Sequence, residues 1–173
     1  MIEPGHILIS HPHWGEGRRV CFVTEHSQYS TVALEINRPS PLRFSDLAQQ
    51  KGYTCREDQP VYAGGEYNRS ALIMLHDSSW YSANTMTINR DWSISSDLHM
   101  LEKVTGGNTP QLYRYVIGIT AWPPHSLTRE LASDRPTWIV LSDPSPSLVV
   151  AEPAQQYDLA LSCVGERFWS QYI

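Results

Sequence analysis

Short apolar segments bounded by glycine, proline or polar residues recur along the chain, and each is typical of a β-strand. After Thr31, apolar Val32, Leu34 and Ile36 alternate with smaller or more polar residues, as in a strand with one buried face. We expect the prolines at 39 and 41 to end this strand. Similar patterns predict seven more strands, within residues 6–10, 20–24, 61–63, 71–75, 85–88, 111–120 and 137–141.

Four further segments combine a capping residue or an N-terminal proline with periodic apolar positions, which predicts helices. Ser45 is the expected cap of a helix that continues to Gln50 and stops at Gly52. The other predicted helices run from Ser95 or Ser96 through Val104, from Ser126 to Ala132, and onward from Pro153. We expect the proline-rich residues 144–153 to form a loop.

The order of these elements predicts an α+β fold. Strands and helices do not alternate regularly, as they would in a doubly wound parallel sheet. No repeat, low-complexity tract or flexible linker divides the sequence. We therefore expect residues 1–173 to form a single compact domain of mixed β-sheets flanked by about four short helices.

The charge composition argues against direct nucleic-acid binding. The 173 residues contain 13 Lys and Arg against 18 Asp and Glu, which gives a net charge of −5. Apart from Arg18 and Arg19 the cations are scattered singly, whereas binding to a phosphate backbone requires clustered cations.

The apolar stretches are shorter than the roughly 20 residues of a membrane-spanning helix. Since no secretory signal is evident either, we expect a cytoplasmic protein without a membrane contact.

Motifs for common cofactor and metal sites do not occur in the sequence. It contains no P-loop, zinc-protease, serine-hydrolase or EF-hand pattern, and its three cysteines are too widely spaced for a disulfide framework or a zinc ribbon. His11 and His13 could face one side of an extended segment as metal ligands. Pro12 lies between them, however, and no cysteine is near. We predict no metal ion and no cofactor.

Five segments of the chain occur in an order that is typical of one protein family. They are Gly5–Pro12, Val20–His26, Ile36–Pro39, Pro60–His76 with its Gly64-Gly65 pair and Arg69, and Ile117–Glu130 with Trp122. Together they resemble the bacterial AlgH/YqgE family, also called UPF0301, over nearly the whole chain. The resemblance implies a compact α+β domain of coiled, bifurcated mixed sheets flanked by helices.

Two of these segments depart from the family pattern. The family has Pro-Val after the double glycine, where this chain has Glu66-Tyr67. Its Gly-Tyr-Ala-Gly-Trp is here Gly-Ile-Thr-Ala-Trp at residues 118–122, and its Gly-Gln-Leu is His-Ser-Leu at 125–127. The chain is therefore identified as a divergent member.

The family-like segments also supply the residues that we expect to form a ligand or partner surface. These candidate site residues are Asn37, Arg38, Gly64, Gly65, Arg69, His76 and Trp122. Amide and guanidinium groups would donate hydrogen bonds to a ligand, the glycines would offer backbone N–H groups, and the tryptophan would supply a flat apolar wall.

Three functions are compatible with these residues. The resemblance implies a transcriptional regulator that acts through a protein partner or a small anionic ligand, with no established enzyme activity or cofactor. The alternative is an enzyme acting on a small molecule or nucleotide, with His76 as general base beside Asp77 or Asp97 and Arg69 as an anion clamp. In the third, Arg38 and Arg69 only pair with carboxylates and hold loops together.

Overall fold

The structure is a computed structural model that describes residues 1–14 and 17–170, the last five of these as helix backbone only. The strands in these residues are β1 (Ile7–Ser10), β2 (Val20–His26), β3 (Thr31–Glu35), β4 (Pro39–Arg43), β5 (Pro60–Ala63), β6 (Tyr67–Asp77), β7 (Met86–Thr87), β8 (Trp92–Ser95), β9 (Tyr113–Trp122) and β10 (Trp138–Leu141). The helices are α1 (Phe44–Gln50), α2 (Leu98–Thr105), α3 (Ser126–Leu131), α4 (Pro146–Val149) and α5 (Pro153–Ser170).

Strand β9 is the point at which the sheet divides. Its residues 115–117 pair in parallel with β5 on one edge and antiparallel with β6 on the opposite edge. Its last residues, 120–122, pair antiparallel with β3. The middle of β9 therefore bonds to β5, which in turn pairs with β4. The end of β9 bonds to β3, which connects it to β2, β1 and β10.

The main path of the sheet follows the order β10-β1-β2-β3-β9-β6-β8-β7. Every pair along it is antiparallel, so the β5–β9 pair makes the sheet mixed. The sheet curls into a half-barrel flanked by the helices, which confirms the predicted α+β fold. No helix in residues 1–14 and 17–170 combines the length and the apolar character needed to cross a bilayer.

Between β5 and β6 the chain crosses directly over β9. The crossing residues are Gly64 and Gly65, and a Cβ on either would collide with the backbone of β9 at Gly118 or Ile119. Gly118 has a φ of 86°, and a Cβ on it would lie 2.5 Å from the Gly65 carbonyl oxygen. Because two backbones touch here, only glycine fits at these positions.

The helices cover the curled sheet through three apolar clusters. The largest packs α4 and α5, through residues such as Val149 and Tyr157, against β1, β2 and β3. A second joins α1 and α2 to β9 around Phe44 and Tyr115. The third places Leu127 of α3 against β1, β2 and β3, together with two tryptophans, Trp122 and Trp138.

A buried arginine ties the C-terminal helices to the sheet. Arg114 of β9 is 7% exposed, and its guanidinium donates hydrogen bonds to the carbonyl oxygens of Ile36 and Ala151, both at 2.6 Å, and to Gln156 Oε1 at 3.0 Å. Burial lowers the pKa of this guanidinium. Since a buried charge requires hydrogen-bond partners, Arg114 holds the α4–α5 segment against β3 and β9.

The serines predicted to cap α1, α2 and α3 are not the capping residues, but each lies within two residues of the observed cap. Ser45 lies inside the first turn of α1, and Arg43 occupies the cap position. Helix α2 is capped by Asp97, whose Oδ1 accepts a hydrogen bond from the Met100 N–H at 2.8 Å, instead of by Ser95 or Ser96. Ser126 is the first residue of α3, and the cap position before it is in the left-handed conformation.

Two strands and one helix were not predicted. Strand β4 begins at Pro39, where the preceding strand was expected to end, and it pairs with β5 alone, so its prolines lie in an edge strand. Helix α4 begins with Pro146 behind a Ser145 cap, inside the expected loop 144–153. Strand β8 has only four residues.

Candidate functional site

An open cleft of about 730 Å³ lies beside the crossing of β9, and we call it the arginine cleft. Three guanidinium groups line it, those of Arg19, Arg38 and Arg69. They come from the residue before β2, from the link between β3 and β4, and from the first part of β6. Segments far apart in sequence therefore meet because the 64–65 crossing carries the chain from β5, across β9, to the start of β6.

Two of the arginines are held by one buried carboxylate. Glu35, the last residue of β3, is 3% exposed. Its Oε2 accepts from Arg19 Nε at 3.2 Å, and its Oε1 lies 3.2 Å from Arg38 Nη2. Arg19 also lies over the ring of Trp138 at 5.2 Å. Because a guanidinium has five N–H donors, both arginines keep donors for another acceptor.

The third arginine is exposed and has no carboxylate partner. Within the described residues, Arg69 makes no ion pair and no side-chain hydrogen bond. The cleft also contains Glu66, which is exposed. Three cations and two carboxylates thus line the cleft, although the whole chain has a net charge of −5. The cleft therefore carries a local excess of positive charge, and the unpaired guanidinium of Arg69 is exposed to solvent.

Of the seven candidate site residues, Arg38, Gly65 and Arg69 line this cleft together. Gly64 lies next to it, but its N–H donates to the Ile117 carbonyl at 2.9 Å and is not available to an anion. The Gly64 carbonyl accepts from the Glu35 N–H at 3.0 Å and from Thr120 Oγ1 at 3.0 Å. Gly64 therefore positions the buried carboxylate through its carbonyl oxygen, and its N–H does not have the predicted anion-binding role.

The side chain of Asn37 also hydrogen-bonds to the backbone. Its Oδ1 accepts from the Val20 N–H at 3.0 Å, and its Nδ2 donates to the Arg18 carbonyl oxygen at 2.8 Å. These bonds fix the segment that carries Arg19 beside the end of β3. The side chain positions the cleft without lining it.

His76 lies in the core, away from the arginine cleft. It has no exposed surface, and Trp80 packs edge-on against its ring at 5.0 Å. Its Nδ1–H donates to the Asp77 carbonyl oxygen at 2.8 Å, so Nε2 accepts from the Ser95 hydroxyl at 2.7 Å. Burial lowers the pKa of the imidazole.

Neither carboxylate proposed as a partner of His76 bonds to its ring. Asp77 accepts through its carboxylate from the Leu112 N–H at 3.0 Å, and Asp97 caps α2 and accepts from Ser82 Oγ at 2.7 Å. His76 therefore lacks the carboxylate partner expected for it at Asp77 or Asp97. Arg38, Arg69 and His76 do not share one surface.

Trp122 is likewise outside the cleft. It is 8% exposed and contacts Trp138 edge-on, with the ring centroids 5.8 Å apart. Its place is in the third apolar cluster, beside α3.

The histidines at 11 and 13 have their ring centroids 3.9 Å apart. Within the part of the chain that the structure describes, no three His, Cys, Asp or Glu side chains are grouped as metal ligands.

Comparison with known sequences decides the family. The model of the AlgH-like family matches residues 7–169. The chain belongs to the AlgH-like family. This match confirms the resemblance to the family that the sequence segments indicate.

Named relatives agree with this membership. A UPF0301 protein of Marinomonas sp. (strain MWYL1) is 30% identical over 142 residues, which cover 78% of this chain and 74% of that protein. A UPF0301 protein of Acidovorax sp. (strain JS42) is 30% identical over 182 residues, covering 95% of this chain and 89% of the relative.

Solved structures show the same AlgH-like fold. The solution structure of the AlgH protein from Pseudomonas aeruginosa matches with a TM-score of 0.75 and 24% identity, covering 95% of this chain and 88% of that one. A crystal structure of a protein from Corynebacterium diphtheriae matches with a TM-score of 0.71 and 19% identity, covering 91% and 84%.

Sequence reasoning missed three charged residues of the cleft in this AlgH-like chain: Arg19, Glu35 and Glu66. One indication was present, because Glu35 follows three apolar residues at the end of its strand and stands three residues before Arg38. Nothing local connects it with Arg19, which reaches it through the pairing of β2 with β3.

Proposed function

We propose that this AlgH-like protein is a cytoplasmic regulatory protein without enzyme activity, and that it binds a small anionic ligand in the arginine cleft. The ligand group is a carboxylate or a phosphate. Guanidinium groups bind both through paired, charge-assisted hydrogen bonds. Regulation of transcription would then follow from the ligand-bound state of the protein and not from direct contact with DNA.

The observation that carries this proposal is the unpaired Arg69, which lines the same cleft as the Arg19–Glu35–Arg38 cluster. If the arginines served only to hold loops together, each would have its own carboxylate. Arg38 has one, at 3.2 Å, but Arg69 has none within the described residues. A free guanidinium in the same cleft as two fixed ones adds hydrogen-bond donors that an anion can use.

The enzyme alternative receives no comparable support. His76 has no exposed surface, and both its ring nitrogens are already hydrogen-bonded. A general base must reach the proton that it removes.

Calorimetric titration tests the proposal directly. Inorganic phosphate, citrate and a nucleoside diphosphate would be titrated into the wild type and into Arg38→Gln and Arg69→Gln at low ionic strength. Arg90→Gln is the matched control, because the Arg90 side chain is 95% exposed and remote in sequence from the cleft segments.

We expect saturable binding of at least one anion, weakened about tenfold by each cleft substitution, since a charge-assisted hydrogen bond contributes about 1.5–3 kcal/mol. The control should bind like the wild type, and added salt should weaken binding. Absence of saturable binding for all three anions would overturn the proposal, and so would equal losses in the Arg90 variant.

A further inference from the structure

The arginine cleft is larger than an inorganic anion needs. Its volume of about 730 Å³ lies within the range of about 300–1,000 Å³ that is typical of small-molecule sites. The charged side chains form only part of its wall, and five apolar or aromatic residues contribute to the rest. These residues are Leu42, Ala63, Tyr67, Ile117 and Ala121. The cleft therefore offers an apolar surface as well as guanidinium groups.

Two large side chains of this apolar surface are exposed. Tyr67 is 60% exposed and Leu42 is 39% exposed. Within the described residues, the Tyr67 hydroxyl makes no hydrogen bond and its ring meets no other ring. Leu42 lies outside the three apolar clusters of the same residues. Exposed apolar side chains that stand singly are ordinary, but these two line one cleft and are accessible to a ligand there.

An irregularity in β6 lies at the same place. Between Tyr67 and Leu72, β6 advances five residues while β9 advances only two, so the strand bulges. Asn68, within the bulge, has a φ of 55° and is in the left-handed conformation. Residues 67–70 are all exposed. Because a bulge re-aims side chains and is common beside functional sites, we assign this one to the cleft, where it holds the Tyr67 ring and the unpaired guanidinium of Arg69.

This combination of groups suits an aromatic ligand better than a flexible chain. The ring of Tyr67 offers a face or an edge to a second ring. Guanidinium groups stack on aromatic rings as well as binding carboxylates and phosphates. A rigid ring also loses less conformational freedom on binding than an alkyl chain does.

We propose that the anion bound in the arginine cleft carries an aromatic ring, which packs against Tyr67 and Leu42 while its charged group binds Arg38 and Arg69. The inference rests on the proposed anion site and names the class of its ligand. Aryl phosphates and aryl carboxylates share this chemistry.

Calorimetric titration of two matched series of anions tests the inference. The first is methyl, hexyl and phenyl phosphate at about pH 8, where all three are dianions because the second pKa of a phosphate ester is about 6. The hexyl ester has as many carbons in its chain as the phenyl ester has in its ring. The second series, acetate, heptanoate and benzoate, replaces the phosphate by a carboxylate. The series that shows the aryl preference identifies the charged group.

Four variants report on the apolar contacts. Tyr67→Ala removes the ring, Tyr67→Phe keeps it, and Leu42→Ala removes the second contact. Tyr29→Ala is the matched control, because Tyr29 is 72% exposed and does not line the cleft. Each substitution is at an exposed side chain, so the fold should be retained.

In the wild type we expect the aryl anion of one series to bind about tenfold more tightly than its methyl counterpart, and more tightly than its alkyl counterpart, as is typical of stacking on an aromatic side chain. This preference should fall to about twofold in Tyr67→Ala, be restored in Tyr67→Phe and be reduced in Leu42→Ala. The Tyr29 variant should show the wild-type preference.

Three results would overturn the inference while the anion site stands. These are equal binding of the methyl and aryl anions in both series, a hexyl or heptanoate anion that binds as tightly as the aryl one, and a preference that Tyr67→Ala leaves unchanged. Absence of saturable binding by every anion of both series would overturn the anion site together with this inference.

Discussion

Arg38 Nη2 lies 3.2 Å from Glu35 Oε1, so a largely exposed guanidinium is held by a carboxylate that is only 3% exposed. The other oxygen of the same carboxylate binds Arg19. Glu35 thus fixes the positions of two arginines while neutralising part of their charge. In the proposed anion site it would compete with the bound anion for these two arginines.

Replacing this carboxylate should separate its two effects. Glu35→Gln keeps an acceptor for one arginine and removes the negative charge, so we predict that phosphate or citrate binds roughly fivefold more tightly at low salt. Stability should fall by about 1–2 kcal/mol, because the amide bonds the two guanidiniums less strongly than the carboxylate does.

Calorimetry and urea unfolding measure these two changes. Glu66→Gln is a useful comparison, since it removes an exposed carboxylate of the same cleft and should change stability by less than about 0.5 kcal/mol. An affinity that falls in Glu35→Gln would show that the carboxylate does not compete with the ligand.

The glycine crossing should be intolerant of any side chain. Gly65→Ala would place a methyl group against the Ile119 backbone, and Gly118→Ala would place one 2.5 Å from the Gly65 carbonyl oxygen. We predict that each destabilises the protein by about 3 kcal/mol or more, from backbone strain and overpacking together.

Gly52→Ala isolates the contribution of backbone conformation. Gly52 has a φ of 87°, close to that of Gly118, but no atom lies within 4 Å of its added Cβ. Its substitution should cost about 1 kcal/mol. Equal unfolding midpoints in urea for the Gly52 and Gly118 variants would contradict the close approach of the two backbones.

Much of the fold was predictable because it rests on local pattern. The apolar run at 71–75 corresponds to the buried part of β6, and the alternation at 31–35 placed β3 correctly. The single buried face expected from that alternation was wrong, because Thr31, Ala33 and Glu35 are buried as well. Strand β4 was not predictable in this way, since its prolines are tolerated only because β4 is an edge strand. The edge position is a property of the assembled sheet, and no local pattern reveals it.

The buried arginine provides a test of the α4–α5 attachment. Arg114→Met keeps much of the side-chain volume but leaves the Ile36 and Ala151 carbonyls and Gln156 Oε1 without their donor. We predict a loss of about 3 kcal/mol in the free energy of unfolding. Arg129→Met, on the exposed face of α3, should cost less than about 0.5 kcal/mol. A loss below about 1 kcal/mol in Arg114→Met would contradict the anchoring role.

His76 should make stability depend on pH. Its pKa in the folded protein is lowered from the usual 6.5 by burial. The unfolded chain therefore binds a proton more readily, and stability falls as the pH drops below about 6.5 towards the folded-state pKa. We predict that the difference in stability between the wild type and His76→Gln narrows from pH 7.5 to 5.5. Urea unfolding at several pH values measures it, and parallel profiles would contradict it.

The candidate site was predictable only in part, and His76 shows why. An imidazole at the end of an apolar run has the same sequence pattern whether it emerges at an edge or stays inside. Here strand β8 pairs with β6 and brings Ser95 to the ring. For Arg38 and Arg69 the family-like segments were sufficient to select the residues, but their convergence depends on the crossing of β9.

The most direct test of the anion site observes the arginines themselves. Arginine Nε–H signals would be followed by NMR while inorganic phosphate is added to the wild-type protein. The account predicts that the signals of Arg38 and Arg69 shift and saturate with a single dissociation constant, while that of Arg90 does not shift. Shifts of equal size at all three arginines, or no saturable shift at Arg69, would contradict it.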